Sequence, residues 1–189
     1  EKRRKDLYSQ AAQNEIDFSW VNNQLTSYYN SANARNPLDR VFYQDIKTYL
    51  PEDILAVTDR MSMHHSLEVR VPFLDHKLME FCATIPAEMK IRHLKKKFLL
   101  KKGVAHLLPS EIINHKKQGF VGPMSTWLQN DLKEYALEIL SESSLRRHGL
   151  FNPKTVSNIL EEHFARKETH DTLIWALLVF ETWHRMYMK

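Results

Sequence analysis

The chain is 189 residues long, 43% apolar and 26% charged, with four glycines and seven prolines; this is globular composition with enough length for a core and more regular structure than tight turns. A net charge of +4 permits an anionic partner without demanding one. A single cysteine excludes an internal disulfide; the longest apolar run, Leu173 to Phe180, is too short to span a bilayer; and EKRRKD at the start lacks a following apolar region, so a cytoplasmic protein is expected.

Residues 1–36 are polar, rich in Asn, Gln and Ser with scattered aromatics, and read as an arm or helix apart from 37–189. So abrupt an opening suggests a piece of a longer protein. From Pro37 the pattern sharpens: Leu38, Val41, Phe42, Ile46 and Tyr49 form a helical stripe that ends before Pro51. Pro51, followed by Glu52 and Asp53 where a helix dipole favours negative charge, opens a helix that runs to His64. Leu67, Val69, Val71 and Phe73 then alternate with Glu68 and Arg70, the period of an extended segment with one face buried, and Pro72 keeps Val71 out of the helical region. Asp75 is a good N-cap for a helix carrying Leu78, Met79, Phe81 and Cys82 and stopped by Pro86. In that apolar setting Cys82 reads as a buried, inert thiol.

Between Glu88 and Glu111 there is no acidic residue, while Lys90, Arg92, Lys95, Lys96, Lys97, Lys101 and Lys102 all fall there. This cationic stretch is expected to lead into a helix from about Lys95 to His106 that buries Leu94, Phe98, Leu99 and Ala105. A helical turn follows at Pro109 to Ile113, then a loop from Lys116 to Pro123 punctuated by Gly119, Gly122 and Pro123. Met124 to Leu140 reads as one helix, with Trp127, Leu128, Leu132, Tyr135, Ala136 and Ile139 on one side. Asn152 and Pro153 are a cap and first helical position. The last helix, roughly Asp171 to Met188, is apolar around most of its surface and is expected to be central and buried. The class is mainly α, without internal repeats.

Among the charged residues Lys97 stands out. Lys97 and Lys101 lie one helical turn apart, and like charges at that spacing cost roughly 0.2–0.5 kcal/mol unless an anion sits nearby. The alternative is a solvated face. Arg60 either borders a pocket or pairs with Asp59 or Glu68; Glu68 and Arg70 form a structural ion pair or contact a substrate. Gly119 allows a backbone turn that would let Gln118 point inward, the alternative being a plain tight loop. His64 and His65 are adjacent and diverge, and no Cys or carboxylate completes a ligand set with them, so no metal site is expected.

Several of these segments carry a resemblance. The stretch DRMSMHHSLEVRVPFLD (59–75), with YLPEDIL before it and LKKKFLLKKGVAHLLPSEIINHKKQGF and GPMSTWL after it, resembles the glutamine-hydrolysing asparagine synthetase family over roughly Leu38 to Leu140. The resemblance implies the helical C-terminal portion of an α/β adenine-nucleotide synthetase domain of the PP-loop ATP pyrophosphatase type, its helices covering one side of a parallel sheet contributed upstream. It implies ATP and Mg²⁺, adenylation of a small-molecule carboxylate (normally aspartate), and amidation by ammonia that an upstream glutaminase domain frees from glutamine. Lys97 occupies the position of the lysine that holds ATP phosphates and the developing adenylate. Arg60, Glu68, Arg70, Gln118 and Gly119 would line the pocket.

Met61, His64, Lys96 and the order GFVGP depart from the family pattern, which leaves the acceptor open, and homodimer assembly stays open too. The family's SGGxDS and G-x-x-D-E segments are not found between Glu1 and Lys189, so ATP and Mg²⁺ would be bound mainly upstream and this chain alone is predicted inactive. The contrasting reading is a non-enzymatic helical module, a scaffold or a binder of an anionic partner such as nucleic acid through Lys90 to Lys102. Against nucleic acid, only Phe98 is interleaved with those cations.

Overall fold

The computed structural model describes residues 5–116 and 122–188, which fall into two compact units. The first joins the N-terminal stretch as far as Asp17 to the described residues from Gly122 onward; the second takes the chain between them, from Phe18. Both are helical, as the sequence patterns require.

The first unit opens with α1 (Gln10–Glu15), where the Ser9 hydroxyl caps the helix by accepting from the Ala12 N–H at 3.1 Å. The second unit contains α2 (Trp20–Ser31) packed on α3 (Pro37–Lys47), whose cap is the Asn36 side chain accepting from the Leu38 N–H at 2.9 Å. Pro51 does not open a new helix. It lies inside a wider π-helical turn, Leu50–Leu55, that runs directly into α4 (Ala56–His64). A proline ring removes one backbone donor and crowds the carbonyl four residues back, and widening the turn relieves both.

The segment after α4, from Leu67 to Val71, takes neither helix nor strand and pairs with no strand among the described residues. The face expected to be buried is therefore open: Leu67, Val71 and Phe73 are 60%, 44% and 66% exposed. A short 3₁₀ turn, Pro72–Leu74, leads to α5 (His76–Thr84), where the Asp75 carboxylate caps the helix by accepting from the Leu78 N–H at 3.1 Å. Cys82, expected to be buried, is exposed, because α5 has an uncovered face of its own, with Phe81 62% exposed.

After α6 (Ala87–Lys90) the chain makes a small antiparallel hairpin, β1 (Ile91–Arg92) with β2 (Lys95–Lys96), in register Ile91 with Lys96 and Arg92 with Lys95. The helix anticipated from Lys95 to His106 shortens to α7 (Phe98–Gly103), because strand pairing claims Lys95 and Lys96. Leu94, expected inside, sits at the hairpin tip and is 93% exposed, and Ala105 is exposed too. α8 (Ser110–Asn114) is the last helix of this unit.

The chain returns to the first unit with α9 (Met124–Gln129), α10 (Lys133–Ile139), α11 (Glu142–His148), α12 (Pro153–Phe164) and α13 (Asp171–Tyr187). The single helix read over Met124 to Leu140 is broken at Asn130, whose backbone leaves the helical region and whose side-chain amide donates to the Thr126 carbonyl at 2.8 Å. α12 starts as its sequence demands, the Asn152 side chain accepting from the Lys154 and Thr155 N–H groups. α13 is the central helix, packed on α9, α10 and α12, but only one side is buried: Ile174, Leu177 and Leu178 face the core, while Val179 and Trp183 are about half exposed. The N-terminal stretch joins the core at the α11–α12 connection through Leu7. Tyr8 bridges Phe151, with Ser9 N–H to Leu150 carbonyl at 2.8 Å and Asn152 N–H to Leu7 carbonyl at 2.9 Å.

The two units differ sharply in what they bury. Leu128, Leu145, Val156 and Ile174 of the first are completely inaccessible, with Ile139, Leu160, Leu177 and Leu178 around them. In the second, the buried apolar side chains among the described residues are Ala32 and Ala87. No helix among the described residues is long and apolar enough to cross a membrane.

Ile174→Ala is expected to cost about 2–5 kcal/mol in denaturant unfolding of the chain, as for a large-to-small change in a packed core. Phe73→Ala, on a surface site of comparable size, should change stability by no more than about 0.5 kcal/mol.

Candidate functional site

The run Lys95-Lys96-Lys97 is shaped by the hairpin before it. His93 and Leu94 form its tip with φ of 47° and 64°, and Lys97, which follows β2, has φ 56° and ψ 35°. Three non-glycine residues in the left-handed region thus fall within five positions. Each costs on the order of 1 kcal/mol, and such strain concentrates where a side chain must be presented in a particular direction. Lys97 caps α7 through its carbonyl, which accepts from the Lys101 N–H at 2.9 Å, and leaves its ammonium exposed, with no ion pair among the described residues.

The neighbouring cations differ. Lys90 Nζ is 2.9 Å from Asp39 Oδ1 and lies over the Phe42 ring, which ties α6 to α3. Arg92 stacks on Phe98, its guanidinium 5.3 Å from the ring centre, which pins the hairpin to α7. These two positive groups build the frame, and Lys97 is left to face outward from it.

Arg60 is exposed on α4 and takes neither Asp59 nor Glu68 as an ion-pair partner among the described residues. Glu68 and Arg70 do pair, at 2.7 Å, with side chains 71% and 85% exposed, so the contact is screened and contributes little. Gln118 and Gly119 lie outside the described residues. Lys97, Arg60 and the Glu68–Arg70 pair make no hydrogen bond or ion pair with one another among the described residues, and all four are exposed. Two clefts are found elsewhere. One, of about 320 Å³, is lined in the second unit by Asn22, Leu25, Thr26, Tyr29 and Gln44. The other, of about 430 Å³, is in the first unit between α9 and the end of α12, lined by Ser125, Thr126, Gln129, Asn130, His163, Arg166, Glu168 and Thr169.

Sequence reasoning missed two features. One is the strained tip at His93 and Leu94, because a two-residue turn of this hand ordinarily signals itself with Asn-Gly, and His-Leu carries no such signal. The other is His163. Its ring is 1% exposed; Nδ1 accepts from the His170 backbone N–H at 3.1 Å, and Nε2 has no hydrogen-bond partner among the described residues. Burial pushes its pKa down, opposed by the charge of Asp171 and assisted by His170. On α12 it sits at core spacing, so only the fold distinguishes it from an apolar residue.

The family model described as "Asparagine synthase" matches residues 1–185. The chain is similar to asparagine synthetase (glutamine-hydrolyzing) 1 of Bacillus subtilis, 34% identical over 163 residues, covering 86% of this chain and 26% of that protein. It is similar to the asparagine synthetase (glutamine-hydrolyzing) of Gallus gallus, 30% identical over 127 residues, covering 59% of this chain and 22% of the relative. Amidase chry2 of Gibberella zeae is 26% identical over 140 residues, covering 70% and 21% respectively. The chain therefore spans about a quarter of the length of the curated relatives it matches. No solved structure matches.

His163 sets a pH dependence. Because its folded pKa lies below the ordinary value of about 6.5, the unfolded chain takes up the proton first as pH falls. Its contribution to stability is complete above pH about 6.5 and is lost as pH drops below that value. The melting temperature should fall over this range, and His163→Gln should flatten that part of the curve.

Proposed function

This chain belongs to the asparagine synthase family, and we propose that it is the helical C-terminal part of an ATP-dependent amide ligase. In the whole protein a carboxylate oxygen of the acceptor attacks the α-phosphorus of ATP, the bond to pyrophosphate breaks, and ammonia then attacks the acyl carbon to release AMP and leave an amide. The names of the relatives favour aspartate as acceptor and glutamine as the nitrogen source. The cytoplasm is the compartment proposed for it.

The observation that carries this reading is Lys97. An ammonium with no ion pair among the described residues, exposed after a strained hairpin whose Arg92 and Lys90 are engaged elsewhere, is suited to phosphate oxygens that gain charge in the transition state. Arg60, Glu68, Arg70, Gln118 and Gly119 would complete the pocket wall. Mg²⁺ would balance phosphate charge, and it fits poorly on this stretch, since no acidic residue lies between Glu88 and Glu111; segments upstream would hold it, together with most of the ATP. A second observation supports the same reading. The second unit exposes Leu67, Val69, Val71, Phe73 and Phe81, an apolar surface suited to a parallel sheet contributed by another part of the protein. Binding of nucleic acid by Lys90 to Lys102 is the weaker reading, because Lys90 and Arg92 are already engaged within the unit.

The test is release of AMP and pyrophosphate by the full natural protein given ATP, Mg²⁺, glutamine and aspartate. Lys97→Ala should lower turnover by about 10²–10³-fold with the fold intact. Lys97→Gly should lose activity equally while holding or raising stability by up to about 1 kcal/mol, since glycine accepts the left-handed backbone at little cost. Full activity in Lys97→Ala would overturn the assignment, and turnover by the 189-residue chain alone would overturn the upstream location of the ATP site.

A further inference from the structure

His148 is the last residue of α11 and lies inside the first unit, its side chain 4% exposed and that of its partner Glu181 2%. The hydrogen bonds around the ring fix its protonation. Nδ1 accepts from the Leu150 N–H at 3.0 Å, so that nitrogen carries no proton. The hydrogen of the neutral ring is therefore on Nε2, which donates it to the Glu181 carboxylate on α13. One tautomer of the neutral imidazole is selected, and both nitrogens are in use.

The peptide bonded to Nδ1 is also where the N-terminal stretch is attached. Its N–H belongs to Leu150 and its carbonyl to Gly149, and that carbonyl accepts from the Ser9 hydroxyl at 2.6 Å. The same Ser9 oxygen caps α1 by accepting from the Ala12 N–H. A continuous line of hydrogen bonds thus runs from the imidazole, through one peptide plane, to the start of α1. Ser9 N–H to Leu150 carbonyl, Asn152 N–H to Leu7 carbonyl and the Thr155 hydroxyl to Asp6 carbonyl complete a clasp of four hydrogen bonds with the Ser9 hydroxyl contact.

A second proton can enter the ring only at Nδ1. The Glu181 carboxylate favours the resulting cation, so the pair inside the core survives. The Leu150 N–H, however, would then meet another donor, and the 149–150 peptide must turn away. The clasped form holds one proton fewer than the released form, so falling pH favours release. The other charged groups near the ring come mainly from α13. His184 is 4.9 Å away between ring centres, and a charge there opposes one on His148. Arg185 is engaged by the Ile139 carbonyl and the Ser144 hydroxyl, and Arg147 of α11 donates to the same hydroxyl. Phe151 and Phe180 pack edge-on against the imidazole, and Tyr8 of the N-terminal stretch meets Phe151.

We propose that His148 is a proton-operated latch for the N-terminal stretch: protonation at Nδ1 turns the 149–150 peptide, breaks its bond to Ser9 and loosens residues 6–15 while the core of the first unit stays folded. The latch rests on this hydrogen-bond pattern and is independent of the ligase reading.

The experiment is hydrogen exchange read by mass spectrometry on the full natural protein, corrected for the intrinsic pH dependence of exchange, from about pH 8 to about pH 5.5, where imidazoles change charge. Peptides covering 6–12 should lose about tenfold more protection than those covering 174–178, the scale of one net hydrogen bond. Comparison with the core separates this local loosening from the global effect of His163. In His148→Asn an amide oxygen replaces Nδ1 as an acceptor that does not titrate, and the excess loss should vanish. Glu181→Gln removes the carboxylate that favours the cation and should move the loosening to lower pH. His184→Gln should leave the loosening in place. No excess loss in the natural protein, or the same excess in His148→Asn, would overturn the proposal. If His148→Asn leaves 174–178 unprotected, Glu181→Gln decides, and loosening at an unchanged pH there sinks the latch.

Discussion

Removal of apolar side chains from water is the constraint on which both units depend, and they meet it unequally. The first packs one side of α13 on α9, α10 and α12, and Leu7 and Phe151 join the same core through the short bridge from the N-terminal stretch. Its largest buried side chains are fully inaccessible, which gives this unit a core of its own. The second has regular helices, good caps at Asn36 and Asp75, and two framing interactions at Lys90 and Arg92, yet its apolar residues stay largely in water. Local propensity and capping contribute about 1 kcal/mol apiece and cannot replace a core. A unit in this condition has a surface that another segment should cover, and that requirement, more than any single side chain, is why the proposed ligase reading places a sheet against it.

Strain is present in both units but concentrated in the second. In the first unit the left-handed Gly149 ends α11 as glycine usually does, without penalty, and Arg166, after α12, takes a φ of 58°. In the second, His93, Leu94 and Lys97 adopt that backbone without being glycine. Nothing buried in their own unit compensates, since Leu94 is almost fully exposed. Stacking of Arg92 on Phe98 and pairing of Lys90 with Asp39 restrain the hairpin, but they act on its base and not on its tip. Under the proposed reading the remaining compensation comes from the ligand and from the segment that covers the tip.

Periodicity and capping were legible in the sequence; partners far along the chain were not. The α4 end near His64, the Asp75 and Asn152 caps and the extent of α13 follow from local signals and are found where those signals put them. The alternation from Leu67 falls on a stretch without helix or paired strand and ends before Phe73, which lies in the 3₁₀ turn; alternation tells only which side chains share a face and not whether anything lies against it. Cys82 was misjudged for that reason. The hairpin at 91–96 escaped because a run of lysines before Phe98 looks equally good as a first helical turn, and only strand pairing decides. Of the expected site, the Glu68–Arg70 pair could be anticipated from spacing, whereas an Arg60 without a partner could not.

Buried polar residues show the same limit and say what the first unit is for. Glu181 lies on the face of α13 that the sequence suggests is apolar, fully buried and bonded to the His148 ring, whose other nitrogen accepts from the Leu150 N–H. One turn later Arg185 reaches the Ile139 carbonyl at the end of α10 and the buried Ser144 hydroxyl in α11. Replacing such groups with apolar ones is often neutral or stabilising, so stability alone does not account for them. They do fix register: a shift of α13 by one turn would leave a carboxylate and a guanidinium buried without partners. The first unit thus holds a core with one favoured register, whereas the second leaves its large apolar side chains exposed. Under the proposed reading, substitutions in the core of the first unit act through folding, and those at Lys97 act through chemistry with the fold unchanged.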